Sequence, residues 1–243
     1  MKTDMKIDGF TYDIPDRDGD ISFSGDITLE NTSEFDAELI KTSVLFVNEN
    51  NVTVSGTHSD EDAFIAAKDT GKVNLYMPSA HKDHFKSGKG SDAKAYVSAT
   101  MYRREFVKIG FLDIPAKPGE LTEIKKTISL GGVAECLGVS CLRKKDTDEG
   151  EMDLLIHAGI RNTSDSYIPR AQLSVKAMDQ RDAQIDDCVD YEVLPAKSSH
   201  TFSPSFWGLK PKKMKNGVLS ISASVFLPIE SFSLEAEPTP YSG

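Results

Sequence analysis

Eight residues of this chain have the types and placement to hold an acidic partner. Lys82, Lys86 and Lys89 lie in one stretch, Lys210, Lys212, Lys213 and Lys215 in another, and Trp207 stands beside the second. Ammonium groups attract carboxylate oxygens, and two basic loops on an otherwise acidic chain make local positive potential. Trp207, the single tryptophan, follows Phe206. An aromatic beside lysines serves either as an interface anchor or as a plug at the end of a core. The competing reading of both lysine runs is a solvated loop.

Other clusters suggest chemistry less well. Asp13, Asp16, Asp18 and Asp20 surround Gly19. A calcium loop with that glycine at its sixth position needs an acid at the first and a glutamate at the twelfth. Those places hold Ile14 and Gly25, so a hairpin turn is the expectation. His81 and His84 stand three apart but have no evident third zinc ligand. Cys136, Cys141 and Cys188 are odd in number, so they cannot all pair within one chain; Cys136 and Cys141 could bridge a tight bend, or all three are small, half-buried thiols. The Asn-x-Ser/Thr sequons at Asn31, Asn51 and Asn162 are read as turn chemistry at strand ends. No nucleophile elbow or phosphate-cradling glycine loop is present. The expectation is therefore no enzyme, no cofactor and no metal.

The 243 residues carry a net charge of −10, and both halves are acidic: −7 over residues 1–121 and −3 over 122–243. Global acidity disfavours nucleic acid and anionic membranes as partners. No apolar run approaches the ~20 residues of a membrane helix. The start Met1-Lys2-Thr3-Asp4 lacks the apolar stretch of a secretory leader. The expected place is the cytoplasm, or the bacterial envelope or exterior if a leader has been removed.

The elements that must position the lysines repeat. Displaced by 131, Asp18-Gly19-Asp20 falls on Glu149-Gly150-Glu151, Asn31-Thr32-Ser33 on Asn162-Thr163-Ser164, Ser43-Val44 on Ser174-Val175, and Asn48 on Asp179. Ala67-Lys68 matches Ala196-Lys197 after a small shift. Period-two alternation marks strands, clearest at Ala171, Leu173, Val175 and Ala177. Tyr102-Arg103-Arg104-Glu105 reads as a chain reversal, Val218–Phe226 and Glu230–Ala236 as separate strands, and Asp60–Lys68 and Ser79–Lys86 as short helices. Pro115-Ala116-Lys117-Pro118-Gly119 reads as the boundary between domains 1–117 and 118–243. The expected fold is all-β: two tandem Ig-like or FN3-like antiparallel β-sandwiches related by internal duplication.

Leu29-Glu30-Asn31-Thr32-Ser33 with Val44–Asn48, and Ile160-Arg161-Asn162-Thr163-Ser164 with Leu173–Asp179, resemble the small bacterial Ig-like domains of the FxLYD type. The Phe-x-Leu-Tyr-Asp motif that names the family is absent. The resemblance covers about half of each repeat and implies a β-sandwich with a binding or spacer role, without catalytic residues. The function expected is a non-catalytic interaction module with an unidentified protein partner. The alternative is a structural subunit of a larger assembly, such as a surface layer, a phage or a secretion apparatus, with homo-oligomerisation open. Edge strands of such sandwiches also accept partner strands.

Overall fold

Alternating apolar and polar residues run through most of this chain, and where they do the backbone is extended. The structure, a computed structural model, describes residues 5–144, 146 and 150–241. Its strands are β1 (Met5–Tyr12), β2 (Asp20–Ile21), β3 (Phe23–Glu30), β4 (Leu39–Val47), β5 (Thr53–Glu61), β6 (Thr70–Asn74), β7 (Ala80–His81), β8 (Lys94–Asp113), β9 (Leu121–Ile124), β10 (Ile128–Leu130), β11 (Ala134–Arg143), β12 (Met152–Asn162), β13 (Ile168–Met178), β14 (Gln184–Leu194), β15 (Ser199–Phe202), β16 (Ser205–Leu209), β17 (Val218–Ala236) and β18 (Thr239–Pro240). Two single 3-10 turns, Lys82–His84 and Gly90–Asp92, are the helical pieces among the described residues.

The chain forms two compact units. The first joins Met1–Arg103 to Pro228–Gly243, and the second is Arg104–Leu227. In the first unit, the sheet β18-β1-β3-β6 covers one side of the core. β5, β4 and the first part of β8 cover the other, with the last part of β17 beside β8. The core is aromatic at its centre: Phe46 stacks on Phe23 at 4.3 Å and on Phe10 at 6.0 Å between ring centroids. In the second unit, β10, β11, β12 and β15 form one layer, with β9 also paired to β11 and β16 to β12. β14, β13, the first part of β17 and the last part of β8 form the other. Between them lie Leu154, Ile156, Ile160, Leu173, Phe202 and Phe206, all buried. Each unit thus has the two-layer build of a β-sandwich, in which one face of every strand is removed from water.

The ends of β8 and β17 explain why the units do not divide at 117/118. β8 leaves β4 at the Leu39–Tyr102 pair. Its continuation buries Ile109 and Leu112 in the second core. β17 in turn runs on past Leu227 and packs Ile229, Phe232, Leu234 and Ala236 against the first core. The loop Pro115–Gly119 lies inside the second unit, between β8 and β9.

Tyr102–Glu105 is consequently not a reversal but the middle of a 20-residue strand. Its charges find local partners: Arg103 lies over the Phe35 ring at 4.0 Å, and Arg104 donates to Ser224 Oγ at 2.8 Å. Val218–Phe226 and Glu230–Ala236 likewise form one strand. The helix read over Asp60–Lys68 does not form, because Ile65 bridges Ala37 as a strand residue. Of Ser79–Lys86 only the turn Lys82–His84 is helical.

Corresponding positions of the two units carry the same hydrogen-bond pattern, one copy in each. Asn31 and Asn162 are both fully buried. Asn31 Nδ2 donates to the carbonyls of Phe35, Ile65 and Ala66 at 2.8, 3.1 and 3.2 Å. Asn162 Nδ2 donates to those of Ser166, Leu194 and Pro195 at 2.8, 3.1 and 3.0 Å. Each Oδ1 accepts from the amide and hydroxyl of the serine two residues on. Lys68 and Lys197, both at positive φ, reach back to the carbonyls of Thr32 and Thr163.

A candidate docking cleft in the second unit

The loop Lys210–Lys215 is a tight turn. Lys210 C=O accepts from the amide of Lys213 at 2.9 Å. Met214 is buried and pins the loop to the core, which leaves Lys210, Lys212, Lys213 and Lys215 exposed. Asn216, at φ 57°, and Gly217 then return the chain to β17. A Cβ at Gly217 would lie 2.4 Å from the Met178 carbonyl, so the close approach here requires glycine.

This loop forms one wall of a cleft of about 780 Å³. Lys212 and Lys215 line it, together with Pro211, Met214, Ile114, Pro115, Met152 and Asp113. The opposite wall is fastened by Arg143. Its guanidinium holds Asp146 in a two-bond pair at 3.0 Å each and donates to the Ala116 carbonyl at 2.7 Å. Arg143 is thus neutralised by its own partner, and the exposed cations of the cleft are the two lysines. The described lining contains no histidine, cysteine or serine. It offers an apolar floor and a cationic rim, which suits a segment carrying both apolar side chains and carboxylates.

Trp207 faces solvent with 61% of its surface exposed, so it does not plug the core. That role falls to Phe206 and Leu209, its neighbours on β16. The Lys144 ammonium lies 4.5 Å from the Trp207 ring centroid, a cation–π contact.

Lys82, Lys86 and Lys89 belong to the first unit and are exposed on a loop pinned by buried Phe85. The loop is closed by Asp92, whose Oδ2 accepts from the Ser87 amide at 2.7 Å. That bond, and to a lesser degree the charge of Lys86, holds the Asp92 carboxyl below its ordinary range. The structure brings Lys212 and Lys215 into a cleft. Lys94 is taken up by an ion pair with Glu235 at 2.6 Å.

The acidic turn is structural. Asp16 Oδ1 accepts the amides of Asp18 and Asp20, each at 2.9 Å, and Gly19 takes φ 91°. Its second-copy counterparts Asp148 and Glu149 lie outside the described residues. His81 Nε2 contacts the Asp18 carbonyl at 3.1 Å, and the His81 and His84 rings meet edge-on at 6.4 Å. Among the described residues no three His, Cys, Asp or Glu side chains converge as a metal set. The three cysteines are unbridged. His157 Nδ1 meets Ser203 Oγ at 3.0 Å, but the nearby Asp190 accepts from the Ser203 amide at 2.9 Å. That carboxylate therefore orients the backbone and not the imidazole, unlike the third member of a triad.

A second groove, of about 500 Å³, escaped the sequence reading. Arg104, Lys108 and Lys176 flank Ser174, Ser220 and Ser222 on the outer face of the second unit's sheet. Its signal was in the sequence as the polar half of the alternation on β13 and β17, but only with β8 laid beside them does it become a groove.

No described helix is long and apolar enough to cross a membrane. No protein-family model and no curated protein matches the chain. Similar solved structures include pT26-6p, with TM-score 0.29 and 8% identity covering 95% of this chain. Another is the transglutaminase of red sea bream, with TM-score 0.24 and 10% identity covering 100% of this chain. The chain spans 64% of the length of the first and 32% of the second.

Proposed function

We propose that the chain is a non-catalytic protein-interaction module made of two Ig-like β-sandwich units that arose by duplication. The repeated asparagine networks support the duplication, and the partial likeness to FxLYD-type sequences supports the Ig-like assignment. The observation that carries the functional reading is the cleft of the second unit. It combines exposed Lys212 and Lys215 with an apolar floor of Met152, Met214 and Ile114. On a chain of net charge −10, such a place attracts an acidic segment of a partner by local potential and holds it by burial of apolar side chains.

Replacing Lys210, Lys212, Lys213 and Lys215 together by glutamine tests this. All four are exposed, so thermal unfolding should be unchanged. Binding of a fluorescent peptide that alternates glutamate with leucine should weaken at least about tenfold, and added salt should weaken the unaltered protein's binding similarly. Equal affinity of the two proteins for that peptide refutes the cleft as the site.

The second reading, a subunit of a larger assembly, draws on the exposed apolar side chains of strand β14, Ile185, Val189, Tyr191 and Val193. Molar mass measured across a concentration series separates the two, since an assembly subunit self-associates and a soluble adaptor remains a monomer.

A further inference from the structure

The two units differ at their edge strands. β5 and β14 occupy the same place: each pairs on one side only, with β4 and with β13 respectively, among the described residues. Ile40 opposite Glu61 and Ala171 opposite Glu192 hold the same register. An unpaired edge offers a row of backbone donors and acceptors to any extended chain, and charged side chains are the usual guard against this. β5 has that guard. On its outer face stand His58 and Asp60, followed by Asp62 just past its end, all exposed. At the matching positions β14 carries Val189, Tyr191 and Val193, with 47%, 64% and 45% of their surface exposed.

The backbone of β14 shows which parity meets the open side. The amide of Asp187 donates to Asp186 Oδ1 and that of Val193 to Glu192 Oε1, both at 2.9 Å, instead of to β13. Alternation then turns the amides of Val189 and Tyr191 to the same open side. The side chains of this set stand on the outer face of the sheet, next to Gln172 and Ser174 of β13. The other face of β14 carries Asp186, Asp190 and Glu192. Cys188 lies on the same face, and its thiol is pushed up mainly by burial and further by the charges of Asp186, Asp187 and Asp190.

We infer that β14 accepts a partner's extended segment as an added strand, and that this segment alternates apolar residues with lysine or arginine. Side chains on one face of the added strand would lie against Val189, Tyr191 and Val193, and those on the other against Asp186, Asp190 and Glu192. Cations on the outer face are disfavoured. Arg170 already lies over Tyr191 at 5.4 Å, and Lys176 stands opposite Asp187. The strict alternation is thus set by two chemically different faces of one strand. The site is separate from the lysine cleft and calls for a partner segment of opposite charge.

The test uses the full chain and an eight-residue peptide alternating lysine and valine, long enough for roughly 27 Å of strand. Three controls accompany it: a block peptide of the same composition, an alternating glutamate–valine peptide, and the lysine–valine peptide N-methylated at every second residue. The lysine–valine peptide should bind at least about tenfold more tightly than any control. The V189D/Y191D variant, which copies the acidic edge of β5, should lose that binding although it adds negative charge. V189T/Y191T, which keeps strand propensity and charge, should lose most of it too, and both should leave thermal unfolding near its original midpoint. Equal binding of the block peptide, or unchanged or tighter binding by V189D/Y191D, would mean adsorption by charge alone and overturn the inference. Concentration-dependent dimerisation abolished by V189D/Y191D, without peptide binding, would assign the edge to a second copy and overturn it as well. Failure of the lysine-cleft test would leave this result untouched.

Discussion

Asn31 and Asn162 each donate to three carbonyls and accept two bonds in return, tying together the turns on either side of them. Truncating either asparagine breaks all five of its bonds, and a hydrogen bond is worth about 0.5–1.5 kcal/mol net. Asn31→Ala and Asn162→Ala should therefore each lower stability by roughly 3 kcal/mol or more in urea unfolding. Asn→Asp at either site should do worse, because a carboxylate cannot donate to three carbonyls. A loss under about 1 kcal/mol at either site would show that the network is dispensable. The same burial means that Asn31 and Asn162 are shielded turn residues despite their sequon pattern. Buried Cys141 and half-buried Cys188 supply a pH dependence. Cys141 is pushed up to about 12 by burial, and Cys188 to about 12 by burial and the neighbouring carboxylates. An unfolded thiol ionises around its ordinary value of 9.0. The unfolded chain thus releases protons that the folded chain keeps. The stability these thiols contribute is present below pH 9 and lost as pH rises toward about 12. Urea midpoints measured between about pH 8 and about pH 10.5 should fall, and fall less in Cys188→Ser. Disulfide-exchange reagents at about pH 8 should label both thiols roughly 1000-fold more slowly than an exposed cysteine.

At the scale of elements, the strands that were legible are those whose burial alternates without interruption. β13 buries Ala171, Leu173, Val175 and Ala177, while Gln172 and Ser174 between them are half-buried and Lys176 is exposed. β1 and β11 were harder, because each carries an extra residue. β1 shifts register between Asp8 and Thr11, around Gly9 at φ 62°. β11 shifts between Cys136 and Val139, around Gly138 at φ 129°. A bulge flips side-chain parity, so Cys136 and Cys141 both point inward although an odd number of steps separates them. The two bulges also fall at different points along their partners β3 and β12, which is why the internal repeat fades in these first strands. β8 misled for another reason. Met101 and Tyr102 are consecutive and both buried, and three charged residues follow. In a sequence this is indistinguishable from a turn, since the partners that absorb Arg103 and Arg104, Phe35 and Ser224, are remote along the chain. The cleft was half legible: the lysines stand out by charge, but Arg143, Met152 and Ile114 join them only through the fold.

For the whole molecule, the exchanged strand ends decide which pieces can fold. A fragment of residues 1–117 lacks Pro228–Gly243 and so leaves the first core without Ile229, Phe232, Leu234 and Ala236. It would also expose Ile109 and Leu112, which belong to the second core. The chemically sensible cut follows the units. In the first unit, β8 and β17 lie close and run in opposite directions. Thr100 Oγ1 is 3.1 Å from Ser231 Oγ, and Lys94 pairs with Glu235 at 2.6 Å. An Asn-Gly linker from Arg103 to Pro228 would thus close a two-residue hairpin of the type that matches strand twist. This spliced chain, and the separate fragment 104–227, should each show a β-rich circular dichroism spectrum and a cooperative thermal transition. The 1–117 fragment should show neither and should bind a dye for exposed apolar surface, because loss of four packed side chains costs several kcal/mol against a typical total of about 5–15. A cooperative melt of 1–117 alone, at the temperature of the spliced chain, would show that the last part of β17 is an appendage and not part of the first core.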